Sequence, residues 1–492
     1  KIKEAMQTVD IDMYTECFIL FDECEKLVQD VHYRDSIREP MNDFFRFQNK
    51  ALISATPIVP EKDSRFDGFM RVLIQPDYVY RQKLKLITTN NVLETLQEVI
   101  EAKRGTVCIF CNSIDSIDSF YRLIPELSNA CTFCSEDGQY KLWKGNRRKK
   151  SMMITELERY NFFTSRFYSA VDILCKNPPH VIFVSDLYGA AQSVIDPATE
   201  AIQIIGRFRG GVNSVTHIAS IRPELECMSS SEIDHWIQGA STIFNGWKAQ
   251  LARTTNIGER TLLQEAIGEN SYLPYLDENG KPDSFLIANF YEKEQVKRLY
   301  TSADLLHLAY EQTGYFVFSH EERLMPVSDN ERMAIQHRLA KKKRAELIVR
   351  KLEEMEKMSK ATDKKIQKRY QRMLMNLITS TADRYIYDCF CRFGAEFVRE
   401  ADYNENKLRT ALNVSSEHTI KKSGQMRTYI QRAFPVGAEI SVQEAKSMLR
   451  QVYKKMGLNT GRGITTKELE QYAEIENSRN REARMIKILK HK

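Results

Sequence analysis

The stretch AIQIIGRFRGG (residues 201–211) decides how the rest of this chain is read. A short apolar run, Ile202, Ile204 and Ile205, delivers Arg207 and Arg209 into a turn loosened by Gly206, Gly210 and Gly211. Glycine there removes side-chain bulk, so a phosphate can approach backbone and guanidinium together. Guanidinium is always charged, and its planar fork suits phosphate oxygens. Gln203, one turn earlier in a helical setting, adds an amide. An ordinary surface turn with two solvated arginines fits the isolated stretch equally well. What tips the balance is three upstream segments, in fixed order, that look built to face the same phosphate.

The first is FILFDECEKL (residues 18–27), a four-residue apolar run ending in Asp22, Glu23, Cys24 and Glu25. A continuous apolar run predicts a strand buried on both faces, as in a parallel sheet. Ligands of open α/β sheets bind beyond the carboxyl ends of strands, where these acids fall. There Asp22 can hold a nucleotide-bound Mg²⁺, and Glu23 can orient or deprotonate an attacking water. The second is KALISATP (residues 50–57), where an apolar strand runs into Ser54 and Thr56 on a tight turn stopped by Pro57. A helix-like stretch over 33–49 joins the two strands as a crossover. The third is FFTSRFYSAVDIL (residues 162–174), with Thr164 and Ser165 in a turn and Asp172 inside a second apolar run. Strands are also expected at TVCIFC, ACTFCS, VIFVSD and VTHIAS, with a helix capped by Asn112 or Ser113 after the first.

In order, DECE, SATP, FFTSRFYSAVDI and QIIGRFR resemble motifs II, III, V and VI of the superfamily 2 helicases, the DExx-box nucleic-acid motors. The flanking sequence is similar in style to helicases of phages and mobile elements. The resemblance covers about residues 18–218, less than half the chain. It implies two RecA-like parallel-sheet domains, the first truncated, followed by a largely helical C-terminal region. It implies ATP and Mg²⁺ as ligands, with Asp22 on the metal and Glu23 on the hydrolytic water. Ser54 and Thr56 would couple hydrolysis to domain movement, and Thr164, Ser165 and Asp172 would serve the interdomain and nucleic-acid side. Arg207 would be the arginine finger, with Gln203 and Gly206 beside it at the nucleotide. Arg209 falls six residues after Gln203, where the family pattern places its second arginine seven after. A second departure is larger: no GxGK[ST] loop occurs in the chain, and Gly280-Lys281 is followed by Pro282. The family carries that loop upstream of DExx, so the chain is expected to be a fragment, inactive alone, whose P-loop lies before Lys1.

The remaining features bound the function. With 42% hydrophobic and 28% charged residues, the composition is that of an ordinary soluble protein. No apolar run approaches the roughly 20 residues of a membrane helix, and no secretory signal is visible, so a cytoplasmic setting without membrane contact is expected. The ten cysteines are dispersed. Cys108-x2-Cys111 and Cys131-x2-Cys134 have zinc-ribbon spacing, but both pairs sit in strand-like runs, where residues three apart point to opposite faces. Buried free thiols account for them better. His307, His320 and Glu321 match no known metal spacing.

Residues 331–372 carry fifteen Lys and Arg against six Asp and Glu, about +9, while the whole chain is +6. The basic character is therefore localised, in one or two amphipathic helices broken near Ser359 to Thr362. Ile348, Leu352 and Met355 fall at helical spacing, as do Ile366, Tyr370 and Leu374. Such a face suits a phosphate backbone, DNA more than RNA, and a solvated helical arm is the plain alternative. Helices near 233–251 and a hairpin around Asn279-Gly280, between Tyr275-Leu276 and Phe285-Leu286, are expected before it. Ser441 and Glu444 form a capping-box pattern opening a helix that ends near Gly457, Thr466 opens a shorter helix, and ARMIKIL suggests a strand. A winged-helix or helix-turn-helix unit fits this order. The expected divisions are 1–77 (end of the first RecA-like domain), 78–223 (second RecA-like domain), 224–330 (accessory mixed region), 331–423 (basic helical region) and 424–492 (the small module). The leading reading is an ATP-dependent helicase or translocase working beside other replication or mobile-element proteins. The alternative is a nucleic-acid-binding scaffold with a relic helicase core that hydrolyses nothing.

Overall fold

In the computed structural model, short runs rich in β-branched and aromatic residues lie side by side as parallel strands. A small sheet pairs β1 (Phe18–Asp22) with β2 (Asn49–Ile53), Asp22 opposite Ile53. A larger sheet holds β3 (Gln82–Thr89), β4 (Val107–Phe110), β5 (Cys131–Phe133), β6 (Lys149–Ser151), β7 (Tyr160–Phe163), β8 (His180–Ser185), β9 (Ser214–Ser220) and β10 (Phe316–Arg323). Its order is β10-β3-β9-β8-β4-β7-β5-β6, with every neighbouring pair parallel. The structure describes all residues except 1–3, 5–6, 9–10, 33, 79, 144–148, 155, 170, 326, 336–338, 359–363, 459, 461–462 and 480–482. It divides into two units, Lys1–Met333 and Ala334–Lys492.

The central strands of the large sheet are apolar throughout because both faces are covered. Phe110, Phe163 and Phe183 join one core cluster with Ile204 and Phe208. Their chain neighbours Ile109, Phe162 and Ile182 join another, with Leu96, Ile117 and Phe120. Successive strand residues point to opposite faces, so burying both requires the unbroken runs seen in the sequence. The helices of the second cluster start at side-chain caps: Asn91 accepts from Glu94 N–H, and Ser113, of the two candidates, accepts from Ser116 N–H. Cys108, Cys111, Cys131 and Cys134 are buried free thiols in or beside β4 and β5. Burial pushes Cys134 up to about 11 and Cys108 and Cys111 upward as well. Among the described residues no group of three or more potential ligands is arranged to hold a metal.

Three expectations need correction. The strand β1 is not buried on both faces: Phe18 and Leu20 are 63% and 53% exposed, while Ile19 and Phe21 face inward. Among the described residues the small sheet is covered on one side, where Val28 of α1 (Lys26–Gln29) and Met41 and Phe44 of α2 (Pro40–Phe44) pack with Phe285 and Leu286. The expected hairpin is reduced to a single antiparallel bridge, Leu276 with Pro282, around a turn where Gly280 has φ +71°. Phe285 and Leu286 then open a helix, Ser284–Leu299, because the Asp283 carboxylate accepts their N–H groups as an N-cap. Finally, β10 comes from the stretch read as accessory, yet it pairs with β3 along eight residues of the large sheet. There His320 Nε2 lies 2.8 Å from Thr88 Oγ1, and Glu321 pairs with Lys85 and Arg323.

The unit Ala334–Lys492 is largely helical. It runs through Lys341–Met358, Lys364–Ser380, Arg384–Glu400, Glu405–Lys421, Gly424–Ala433 and Val442–Lys455. The expected break at Ser359 to Thr362 lies outside the described residues. A three-stranded antiparallel sheet, β11 (Glu439–Ser441), β13 (Arg484–His491) and β12 (Ala473–Arg479) in that order, closes the chain. Thr466–Gln471 is a 3-10 turn whose Thr465 and Glu468 complete a capping box. This unit holds 35 Lys and Arg against 19 Asp and Glu, net +16, leaving 37 against 47, net −10, for Lys1–Met333. No described helix is long and apolar enough to cross a membrane.

Candidate functional site

Because β1 and β2 are parallel and in register, the turns after Asp22 and Ile53 leave the same edge of the small sheet. The N–H of Cys24 donates to the Ile53 carbonyl at 3.3 Å and ties the two turns together. Glu23 has φ +53°, a left-handed backbone that costs a side-chain-bearing residue on the order of 1 kcal/mol. Its N–H donates to Asp22 Oδ1 at 2.9 Å, which holds the strained turn. In the second turn Ser54 Oγ accepts the Thr56 N–H at 2.9 Å. Asp22 stays exposed, Glu23 is half-buried, and Glu25 and Thr56 are buried.

The stretch around Arg207 meets these turns as the end of a helix. Glu200–Gly206 is helical, with Ala201, Ile204 and Ile205 packed on the large sheet and Gln203 turned to the small one. Gln203 Nε2 donates to Glu25 Oε1 at 2.6 Å and to Thr56 Oγ1 at 2.9 Å. One helical turn on, Arg207 Nη1 lies 3.6 Å from Glu23 Oε1, and Arg207 Nε donates to the Gln203 carbonyl at 3.1 Å. The Arg207 side chain is 14% exposed, so this cation is held beside the small sheet and kept largely out of water. Two acceptors in the cluster, Glu25 Oε2 and Gln203 Oε1, are buried without a hydrogen-bond partner among the described residues. Buried acceptors of this kind are satisfied by an incoming donor or an ordered water.

A second polar layer lies alongside. Gln29 Nε2 donates to Thr199 Oγ1 at 3.0 Å and to Glu292 Oε1 at 3.1 Å, and Thr199 Oγ1 donates to Asp196 Oδ2 at 2.6 Å. Burial raises the carboxyls of Glu200 to about 8 and Glu292 to about 7, and it raises Asp196 too. Desolvation disfavours the charged form, and the neighbouring carboxylates add to it.

The other residues singled out by sequence fall as follows. Arg209 pairs with Asp172 at 2.9 Å, both more than half exposed, and the Arg207 carbonyl accepts the Ile173 N–H at 2.9 Å. The Asp172 segment is thus bound to the arginine turn. Gly206 and Gly210 face open space, and only Gly211 has the positive φ, +78°, that requires glycine. Thr164 is buried after β7, its N–H and hydroxyl both directed at the Phe133 carbonyl, while Ser165 is exposed. Among the described residues no hydrogen bond or ion pair joins Thr164 or Ser165 to Asp22, Glu23 or Arg207.

Sequence reasoning passed over Glu25 and Glu292. Glu25 carried a signal, since it belongs to the same acidic quartet as Asp22 and Glu23. Glu292 carried none: only the packing of Ser284–Leu299 against Lys26–Gln29 brings it in. The outcome is one cluster, Glu23, Glu25, Thr56, Gln203 and Arg207, in which both carboxylates meet a donor from the same short helix. No protein-family model, curated protein or solved structure matches the chain.

Proposed function

We propose that this chain is part of an ATP-driven nucleic-acid motor of the superfamily 2 helicase type, its two parallel sheets acting as RecA-like halves around the Glu23–Arg207 cluster. One observation carries the reading. Gln203 bridges Glu25 and Thr56 while Arg207, one turn on, reaches Glu23, so residues from motifs II, III and VI converge. A carboxylate on a left-handed turn beside a largely buried arginine is a strained, charged arrangement of the kind that collects at functional sites. Phosphoryl transfer to water does need an oriented nucleophile and positive charge on the departing phosphate.

The residues fit a nucleotide with its metal. Asp22 offers an exposed carboxylate at the carboxyl end of β1, where Mg²⁺, when bound, would neutralise phosphate charge. Glu23 would orient the attacking water and take its proton. Arg207 pairs directly with Glu23, a spacing that leaves no room for a phosphate between them. Arg207 would have to leave Glu23 to meet phosphate oxygens of a bound nucleotide. Gln203, bonded to Glu25 and Thr56, would link its helix to both turns. The chain contains no GxGK[ST] loop, so turnover has to be measured with a polypeptide that supplies one. The basic unit Ala334–Lys492 supplies the electrostatic attraction for nucleic acid.

The test measures nucleic-acid-stimulated ATP hydrolysis in such a polypeptide. Glu23→Gln should abolish turnover and spare nucleotide binding. Arg207→Ala should lose on the order of 10³-fold or more, the scale of an arginine finger. Normal hydrolysis with both changes would end the motor reading.

A further inference from the structure

The helix Val442–Lys455 shows two faces of different chemistry. Ala445, Leu449, Val452 and Tyr453 are buried in the module's core with Ile486 and Ile488 of β13. On the opposite side Gln443, Ser447 and Gln451 recur every fourth residue, and so do Lys446, Arg450 and Lys454. At 3.6 residues per turn these six side chains form two adjacent stripes along one face. All are exposed except Lys446, which is partly so. The helix carries a single carboxylate, Glu444, in its first turn, where it complements the helix dipole.

Some of the neighbouring cations lie beside carboxylates. Lys487 of β13 sits in register between Glu439 and Glu476, and Lys490 sits opposite Glu474. Glu468 accepts from Tyr453 Oη at 2.6 Å and from Lys421 Nζ at 2.8 Å. Among the described residues no ion pair engages Lys446, Arg450 or Lys454. A helix face with an amide and hydroxyl stripe beside a stripe of cations matches one class of partner closely. From Gln443 to Lys454 it spans about 16 Å, roughly the rise of five base pairs. The B-DNA major groove admits an α-helix, glutamine pairs two-fold with adenine, and arginine does so with guanine.

We propose that the face of Val442–Lys455 bearing Gln443, Lys446, Ser447, Arg450, Gln451 and Lys454 docks in the major groove of duplex DNA and reads base edges there. This rests on the nucleic-acid reading above and deepens it. The partner is duplex DNA and not duplex RNA, whose A-form major groove is too narrow for side chains to read.

The experiment titrates the full chain into labelled duplex DNA and duplex RNA across about 50–200 mM salt. Lys446→Ala with Arg450→Ala and Lys454→Ala should weaken DNA binding by roughly tenfold to a hundredfold and flatten the log–log salt slope by about 2 to 3. Lys487→Ala with Lys490→Ala, on the neighbouring sheet, should change little. Gln443→Ala with Gln451→Ala should keep the salt slope but lose roughly tenfold in preference for the sequence that wild type selects from a randomised duplex pool. Unchanged thermal melting of each variant establishes that the fold persists, as expected for exposed positions. A triple variant that binds DNA as wild type does, or equal use of the same residues on duplex RNA, overturns the proposal while leaving the motor reading standing. No binding of wild type to any nucleic acid, even at low salt, overturns both.

Discussion

The two units of this chain solve opposite problems. Lys1–Met333 carries a net −10 and is built on parallel strands whose partners lie far apart in sequence. Ala334–Lys492 carries +16 and is built mostly from helices, whose hydrogen bonds are local. The acidic unit nonetheless holds Arg207, an arginine kept largely from water beside a carboxylate turn, and the basic unit leaves many cations on its surface. The contrast separates two uses of positive charge. At Arg207 the guanidinium gains its strength from exclusion of water, as an electrostatic group in a site does. In the second, many solvated cations act together and are screened by salt.

That contrast can be broken or sharpened by substitution. Phe163 stacks with Phe110 at 5.0 Å and Phe133 at 4.8 Å at the middle of the large sheet. Phe163→Ala should destabilise the first unit by about 3–5 kcal/mol, whereas Leu449→Ala, in the C-terminal module, should cost about 2–5 kcal/mol there. Hydrogen exchange should show protection lost in sheet peptides for the first change and in peptides from 424–492 for the second. Loss spread evenly over the whole chain from either one would erase the division.

A further effect is expected from pH in the first unit. Burial holds Glu200 near 8 and Glu292 near 7, both above their unfolded value of about 4.5. Between those limits the folded state keeps protons that the unfolded chain has released. Stability should therefore fall as pH rises from about 4.5 towards 8 and level off beyond. Glu292→Gln should flatten the dependence, read by urea unfolding at about pH 5 and about pH 8.5. A variant whose slope equals that of wild type would remove these carboxyls from the account.

The smallest effect belongs to the exposed pair of Arg209 and Asp172. Solvent screens it, so Asp172→Asn should change stability by less than about 1 kcal/mol. The same change in the motor assay should leave turnover within a few-fold, against the large loss expected at Arg207. A loss at Asp172 as large as that at Arg207 would mean that the sequestered and the exposed arginine are not used differently.

How much of this was legible beforehand differs by element. The unbroken runs at VCIF and VIFV announced two-sided burial because a parallel strand between helices must be apolar at every position. The run FILF looked the same and was not, since the described residues leave the Phe18 and Leu20 side of the small sheet exposed. Periodicity cannot register that, because it reports which residues are apolar and not whether a covering layer exists. The capping residues Ser113 and Ser441 and the basic helices were likewise local facts. The hairpin at Asn279-Gly280 failed because Asp283, an N-cap, outcompeted strand pairing just beyond the turn.

By itself the sequence determined the local chemistry: which residues are acids, hydroxyls and arginines, and that they stand at strand ends and turns. Those properties depend on neighbours a few positions away. Only the tertiary structure decided that Gln203 would grip Glu25 and Thr56, that Glu292 would enter the same junction, and that Arg207 would reach Glu23 while Arg209 stayed in solvent. Such contacts join residues separated by 147 to 178 positions, or more. Their free energy comes from packing whole helices and sheets together, and no short window of sequence contains that term.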